Sequence, residues 1–525
     1  MDDHCIHVGP ALTAGVSQPG APPSSARTEK PTPSDLARGG AIGLAGSITG
    51  SVMGLLLVIV LGNMLGDTGA GVVLQAIAVF TVALAVGRFG MDSTALWLLP
   101  RLREDSPEQV RAAVRLLLLG AAAAGLASAA VLYLTAGLIP TDQSSLNQSI
   151  RSVAWALPIA ATALVALAVS RALGGLRTYA LIGNVVLPTS RVLAVLIAAG
   201  AGLSTTGVAA AWAVMLVPAL LLALGAVHRQ LAFELGSVPR QCPRELPGRV
   251  MRFGLLRVVS AVLEQMLLWL DVVLVGLIAG PAAAGVYGAA SRLVMAGTVV
   301  DTAIRTVVSP WFSRAVHRKD TAGLADIFRT ATTWLVLFGT PIHLLLACFA
   351  PLPLSLVGPE FASGASVVTI LCIGAIVTFL AGNVHSLLVM SGRSGLAATN
   401  KAIAVAVNLG LVAILVPRWG IVGAAIAWSA ATMLDAALAG TQVRSTLHQS
   451  VWSAAAFRPL TAGLITVGLP ALLCRVLLGA TWTSLAVALA VGAAAFIVWI
   501  RRDAQAFQIA ALTSIIRRPT AGAAT

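Results

Sequence analysis

Charged side chains inside long apolar segments are the residues best suited to chemistry in this chain of 525 residues. The basic ones of most interest are Arg191, Arg257, Arg292 and Arg305, and the acidic ones are Glu264, Asp271, Asp301 and Asp435. A charge at the centre of a bilayer costs at least about 2.5 kcal/mol, so such groups normally face a cavity or a partner. Arginine binds phosphate through two parallel hydrogen bonds, and a carboxylate can take a proton or a cation. These residues therefore predict a polar cavity that binds an anionic group and an ion.

One segment carries three of these charges at a regular spacing. Arg257, Glu264 and Asp271 are seven residues apart, which places them on one helical face. The next apolar segment returns after Gly280 and Pro281, which brings Arg292 to the depth of Asp271. The spacing thus predicts an Asp271–Arg292 contact.

Two interpretations of this charged group stay open. In the first it is a cavity wall, where Arg257, Arg292 and Arg305 bind an anion and Glu264, Asp271 or Asp301 serves ion coupling. In the second the charges are structural ion pairs that hold helices together, namely Asp271–Arg292 and, at i,i+4, Asp301–Arg305 and Arg88–Asp92. We expect the second interpretation to hold for Arg88–Asp92.

Two further arginines stand apart from that group. Arg191 follows Pro188 by three residues and has no evident acidic partner, so it is the best single candidate for contact with an anionic substrate. Arg475 is expected to extend its side chain towards the membrane surface.

The elements that must position these residues are transmembrane helices. The chain is 58% hydrophobic and 10% charged, with a mean hydropathy of +0.91, which is typical of an all-α polytopic membrane protein. Segments of about 20 apolar residues are needed per span, and the chain offers about fourteen. The predicted order is a disordered cytoplasmic tail (1–40), an N-terminal lobe of six helices (41–227), a basic cytoplasmic loop (228–250), a C-terminal lobe of six helices (251–441), helices thirteen and fourteen (442–501) and a cytoplasmic tail (502–525).

The positive charge alternates between successive loops. Most of the 34 lysines and arginines lie before the first span or after even-numbered spans. Cytoplasmic loops retain Lys and Arg, so both termini are predicted on the cytoplasmic side of a bacterial plasma membrane. The net charge of +14 is explained by this topology and by contact with anionic membrane lipids, and no nucleic-acid partner is predicted.

The two predicted lobes echo each other in sequence. Gly62, Gly66, Ala70, Gly71 and Val72 recur 214 residues later, and the segments GVAAAW and GAAIAW, ending at Trp212 and Trp428, lie 216 apart. Arg177 and Asn184 also recur as Arg393 and Asn400. Because each copy holds an even number of spans, both enter from the same side, which predicts parallel repeats that enclose a substrate and rock around it.

These echoes also carry a family resemblance. The stretches LGNMLGDTGAGVVLQAIAVF and DVVLVGLIAGPAAAGVYGAASRL resemble polysaccharide exporters and O-antigen flippases of the multidrug, oligosaccharidyl-lipid and polysaccharide exporter superfamily. The resemblance covers roughly residues 38–502. It implies two lobes around a central cavity, alternating access and a polyprenyl-pyrophosphate-linked sugar as substrate. Lipid II flippases of this superfamily carry basic residues in helix one, and the first span here has none, which argues against lipid II.

The resemblance also implies the partners. A proton or sodium ion would drive the cycle, and enzymes of glycan assembly are expected nearby. No cofactor is predicted, because the five cysteines and seven histidines show no metal-binding spacing.

Three other functions are alternatives to the export of lipid-linked sugars. A multidrug antiporter shares the fold but usually has twelve spans. A membrane glycosyltransferase or polymerase needs a sizeable external loop with catalytic acids, whereas the predicted external loops are short. A scaffold without transport activity would not explain the costly intramembrane charges.

Overall fold

The computed structural model of the protein describes residues 33–138, 144–235, 243–318, 320–447, 454–505 and 507. Within these ranges the secondary structure is helical and contains no β-strand, which confirms the predicted all-α class. Helix α1 begins at Pro33, inside the segment 1–40 that was predicted as a disordered tail. The loop predicted at 228–250 is shorter than expected, because helices extend to Leu235 and resume at Leu246. Most of the C-terminal tail lies outside the described residues.

The helices follow each other with short connections. In chain order they are α1 Pro33–Gly87, α2 Met91–Asp105, α3 Pro107–Thr135, α4 Ser144–Ala154, α5 Leu157–Ala172, α6 Leu176–Tyr179, α7 Leu187–Gly200, α8 Thr205–Val214, α9 Leu216–Leu235, α10 Leu246–Ala279, α11 Pro281–Gly297, α12 Val299–His317, α13 Thr321–Phe349, α14 Pro351–Ser355, α15 Ala365–Leu380, α16 Val384–Met390, α17 Ser394–Leu447, α18 Ala454–Gly463, α19 Leu469–Leu478 and α20 Trp482–Arg502. Short 3₁₀ turns occupy Ala136–Leu138 and Pro359–Gly364, and π-helical segments occupy Ala180–Val186 and Leu464–Gly468.

Among the described residues, ten helices are long and apolar enough to cross a membrane, and twelve if each of two bent pairs counts as one span. Two of the ten, Ala45–Asp105 and Ser394–Ser445, hold 61 and 52 residues. Straight helices of that length would measure about 90 and 80 Å, against a hydrocarbon core of about 30 Å. Each therefore has the length of two spans, and the total of fourteen stays a prediction.

Helix α17 folds back on itself at Gly420. This glycine has φ 56°, in the left-handed region that favours glycine. Lys401 and Asp435 lie on either side of it and form an ion pair of 2.7 Å, although 34 residues of straight helix would separate them by about 50 Å. The helix is therefore an antiparallel pair. Helix α1 has a similar break at Gly66, with φ 68°.

Helices from the two predicted lobes meet at a reciprocal pair of glycines. A Cβ added to Gly71 of α1 would collide with the carbonyl oxygen of Pro281, and one added to Gly285 of α11 would collide with that of Asp67. Each added Cβ would also lie close to the other glycine's nitrogen, at 2.9 and 3.1 Å. Because each residue is 214 positions from its counterpart, these contacts are those of two copies around a local two-fold axis. The lobe boundaries themselves remain a prediction.

Several spans are broken or distorted within the membrane. The pairs α4–α5 and α11–α12 bend by 49° and 41°. The π-helical segment Ala180–Val186 is followed directly by Leu187 and Pro188 in α7. Proline removes one N–H and crowds the carbonyl four residues earlier, and one π turn relieves that clash.

The buried apolar residues form separate clusters. The largest runs through the N-terminal helices and continues into α10, α11, α15 and α17. A second comprises α12, α16 and parts of α13, α15 and α17. The last helices, α18 to α20, pack against α13 through two small clusters.

Candidate functional site

Asp271 of α10 is the buried carboxylate at the centre of the candidate site, with 3% of its surface exposed. It accepts a hydrogen bond of 2.5 Å from Asn408 Nδ2 and one of 3.2 Å from the hydroxyl of Tyr287. These donors come from α17 and α11, so three helices converge on one acid. The predicted Asp271–Arg292 ion pair is wrong: equal depth along two helices does not make two side chains point at each other.

A cavity opens beside this acid. Its empty volume is about 340 Å³, including space open to the surroundings, and it is lined by Leu268, Asp271, Tyr287, Ser291, Val294, Met295, Leu371 and Trp428. The indole of Trp428 donates a hydrogen bond of 2.9 Å to the carbonyl of Leu267, which fixes that wall. The buried Oδ1 of Asn408 has no hydrogen-bond partner. A buried unpaired acceptor beside a carboxylate is an arrangement that can bind a cation or a proton donor.

Arg292 of α11 lies flat on an aromatic ring instead of on an acid. Its guanidinium carbon is 3.4 Å from the ring centroid of Trp269, a cation–π contact. One of its nitrogens donates to the carbonyl of Leu268 at 3.4 Å, and another approaches the sulfur of Met295 at 3.5 Å. Its buried Nε has no partner.

Arg191 of α7 repeats this arrangement in the N-terminal half. Its guanidinium carbon lies 3.8 Å from the ring centroid of Trp212, and Phe80 meets that ring edge-on at 5.4 Å. Its Nε is also buried without a partner, and no described acid pairs with it. The sequence pattern did not identify Trp212 as the partner of Arg191, because Trp212 and Trp428 were informative there only as equivalent positions of the repeat.

The other candidate residues are less favourably placed to bind a substrate or an ion. Arg305 and Asp301 form the predicted ion pair, and so do Arg88 and Asp92, at 2.9 Å. Glu264 is exposed on α10, although it shares a helical stripe with buried Asp271. Helices α11 and α17 pack over this face of α10 at Asp271. A seven-residue spacing in the sequence does not show how far along the face the neighbouring helices extend.

Two more arginines complete the set of sequence candidates. Arg257 is half-buried on α10 and takes part in no described ion pair. Arg475 donates a hydrogen bond to the carbonyl of Cys348, which joins α19 to α13, and its extension towards the membrane surface stays a prediction.

A polar cluster that sequence reasoning did not assemble lies further along α17. Asp435 Oδ2 accepts from Lys401 Nζ at 2.7 Å and lies 3.2 Å from His385 Nε2. The loop-charge pattern predicts Lys401 in a cytoplasmic loop, whereas in the structure Lys401 lies within a helix long enough to span the membrane. Its position inside an apolar segment was the available signal.

The comparison with protein families adds a direct result. A sequence model of a polysaccharide biosynthesis protein family matches residues 36–316, more than half of the chain. The chain belongs to this family. Among curated proteins, no sequence matches it.

Solved structures identify the fold of this family member. The lipid II flippase MurJ, in an inward closed conformation, matches 88% of this chain and 99% of its own length with a TM-score of 0.67 and 12% identity. An inward-facing multidrug resistance MATE family transporter of the MOP superfamily matches 78% and 98%, with a TM-score of 0.62 and 14% identity. A MOP superfamily transporter from Pyrococcus furiosus matches 79% and 96%, with a TM-score of 0.56 and 14% identity. At these identities the matches establish the fold, which is that of MOP transporters.

Proposed function

We propose that the protein is a flippase that moves a polyprenyl-pyrophosphate-linked oligosaccharide across the bacterial plasma membrane by alternating access, for synthesis of a cell-surface polysaccharide. The polysaccharide biosynthesis family and a fold shared with a lipid-linked precursor flippase support this proposal. Both termini are cytoplasmic in it, as the loop charges predict. The sugar-assembling enzymes that supply the substrate are its expected partners.

The observation that carries the proposal is the matched pair Arg191 and Arg292. Each lies flat on a tryptophan, each has a buried Nε without a partner, and neither is neutralised by a described acid. An unpaired guanidinium inside a membrane is costly unless a ligand compensates it. A guanidinium can bind phosphate oxygens bidentately, and in Arg292 the Nε is unpaired while the two terminal nitrogens contact Leu268 and Met295. One such group in each lobe suits a substrate held between them.

Asp271 is the best candidate for the coupling ion among the three acids considered. It is buried beside a cavity and beside the unpaired Oδ1 of Asn408, whereas Asp301 is already paired with Arg305 and Glu264 is exposed. We assign proton or sodium binding to Asp271. Cation binding would offset the cost of a buried carboxylate.

A multidrug exporter is the second candidate, because the MATE transporters share the fold. The specific observation in its favour is the same cavity: a carboxylate lined by Tyr287 and Trp428 could bind an organic cation. The two functions differ in which charged residue binds the substrate, so mutation separates them.

The test is transport by purified protein in liposomes, with a fluorescent short-chain polyprenyl-pyrophosphate disaccharide in one arm and a fluorescent organic cation in the other. The proposal expects flipping of the sugar lipid, lost in the Arg191→Gln/Arg292→Gln variant and retained in Arg475→Lys, whose parent arginine binds only a backbone carbonyl. Cation transport without sugar-lipid flipping would assign the protein to the multidrug class. Unchanged flipping by the double variant, normalised to folded protein, would refute the role of the arginines.

A further inference from the structure

Helix α16 and the helices around it share an apolar core, and glycines with positive φ border α16 on both sides. The second apolar cluster joins α12, α16 and parts of α13, α15 and α17, and it is separate from the large cluster that crosses between the lobes. Two of the helices that build it follow a bend or a glycine turn. Helix α12 is bent by 41° from α11, and α16 is separated from α15 by Gly382, with φ 66°. Gly392, with φ 81°, follows α16. A seven-residue helix between two left-handed glycines can shift as a unit.

One polar cluster fastens this short helix to its neighbour. His385 of α16 and Lys401 of α17 both contact Oδ2 of Asp435, also of α17, at 3.2 and 2.7 Å. The Asp435 side chain is only 3% exposed, and its second oxygen, Oδ1, is buried without a partner. The His385 side chain is 34% exposed. The cluster therefore combines a partly exposed imidazole with a buried carboxylate that has an unused acceptor.

The three charges have no charged counterparts at the equivalent positions of the N-terminal lobe. Matching the lobes on Trp212 and Trp428, 216 residues apart, pairs the three charged residues with Val169, Val185 and Ala219. Matching them instead on the positive-φ glycines, Gly174 with Gly392 and Gly202 with Gly420, shifts the register by two and gives Leu167, Gly183 and Val217. Both registers place apolar residues or glycine in the N-terminal lobe. Since a charge within a membrane is costly, its presence in one lobe alone indicates a function.

We propose that His385, Asp435 and Lys401 form a proton-binding site that holds α16 against α17 when protonated and loosens it when deprotonated. The site is distinct from Asp271 and lies, in the predicted topology, towards the cytoplasm. An ionised Asp435 only accepts hydrogen bonds, so the contacting Nε2 of His385 carries the hydrogen and Nδ1 has the lone pair. A proton from water binds at Nδ1, and the contact becomes a charge-assisted imidazolium–carboxylate bond.

Neighbouring charges are compatible with this change. Lys401 opposes the new positive charge, and the free Oδ1 of Asp435 supplies a second acceptor that lets both cations be bound. On α12, which also packs against α16, Asp301 and Arg305 pair with each other. Arg393 follows α16 in an exposed turn, and Arg444 lies near the end of α17. Histidine is the side chain that ordinarily changes charge between pH 5 and 8.

The test is hydrogen–deuterium exchange of residues 384–391 in the full-length protein in lipid nanodiscs, without substrate, corrected for the intrinsic pH dependence of exchange. Protonation turns a bond with one ionised partner into a partly exposed ion pair, whose contribution reaches about 1 kcal/mol, so protection should be about fivefold greater near pH 6 than near pH 8. The His385→Gln variant should show equal protection at both, and His343→Gln, which removes a buried histidine with no acid partner, should keep the wild-type difference. The matched N-terminal segment 168–175 is an internal control that should show no such difference. Equal pH dependence in wild type and His385→Gln would overturn the proposal.

A second variant checks that the charges are not simply part of the fold. Replacing all three residues by their N-terminal counterparts (His385→Val, Lys401→Val and Asp435→Ala) leaves no charge unpaired. This variant should accumulate and unfold at a temperature close to that of wild type, with no pH-dependent protection of α16. Failure to fold would show that the charges hold the lobe together and would overturn the argument from the repeat.

Discussion

At the scale of single residues, the partner of a charge separates the candidate site from structural polar groups. Arg88 and Arg305 are each satisfied by an acid four residues away, which a helix supplies locally. Arg191 and Arg292 instead lie over tryptophan rings of neighbouring helices and have no described acidic partner, although a buried Nε without a partner is a feature that they share with Arg88. A positive charge without an acidic partner inside a membrane is what an anionic ligand can use, so these two arginines are the ones on which transport should depend.

Lysine should not replace either stacked arginine. We expect Arg191→Lys and Arg292→Lys each to lower the initial rate of sugar-lipid flipping by about tenfold or more, because the loss of one charge-assisted hydrogen bond has roughly that effect. The measurement is flipping in liposomes, normalised to monodisperse protein. The same exchange at Arg475 is the control, and equal losses at all three positions would indicate a general effect of arginine on folding.

Removing the charge of Asp271 should abolish coupling and preserve the fold. The Asp271→Asn side chain keeps the volume and can still pair with Asn408 and Tyr287, so the thermal unfolding midpoint should not fall. Asp271→Leu leaves both neighbours unpaired and should destabilise the protein by about 1–3 kcal/mol for each lost partner. Ion-driven transport and thermal unfolding would be measured on both variants. Gradient-driven transport by Asp271→Asn would exclude Asp271 as the coupling site.

At the scale of helices, glycine determines where the chain bends and where helices touch. Gly66, Gly280 and Gly420 have positive φ at helix breaks, and Gly71 and Gly285 allow α1 and α11 to meet at backbone distance. Between membrane helices, such close contact replaces the hydrophobic effect as the source of association. Added side-chain volume at these contacts should therefore be harmful, whereas the same change elsewhere on the helix should not.

Alanine at Gly71 or Gly285 should destabilise the protein, because its Cβ would collide with the carbonyl of Pro281 or Asp67. We expect a loss of about 1–3 kcal/mol, typical of overpacking, seen as a lower thermal unfolding midpoint. Gly54→Ala and Gly410→Ala are matched controls, since a Cβ at either has no atom within 4 Å. Gly71→Ala as stable as Gly54→Ala would contradict the close contact.

At the scale of the whole molecule, two bundles of helices meet around contacts that repeat at a spacing of 214 residues. The family match covers the N-terminal bundle and the first helices of the second, and the solved transporters share the fold over most of the chain. The orientation of these bundles in the membrane stays a prediction from the loop charges, and it can be measured directly.

Cysteine labelling should establish the orientation. In a background without native cysteines, Ser144→Cys, exposed at the start of α4, should react with an impermeant reagent added to intact cells. Ser237→Cys, which lies outside the described residues, should react only after the membrane is opened. The reverse pattern would invert the predicted topology and would place the His385 cluster on the outer side.

The sequence by itself determined the all-α membrane class and the local ion pairs Asp301–Arg305 and Arg88–Asp92. It also predicted the internal repeat and the lack of an acidic partner for Arg191. These features depend on composition and on spacings within one helix, where geometry is periodic. Tertiary structure alone decided that Asp271 meets Asn408 and Tyr287 instead of Arg292, that tryptophans hold the two arginines, and that His385 and Lys401 share Asp435. These contacts join different helices, whose rotation and bending at glycines no helical period encodes.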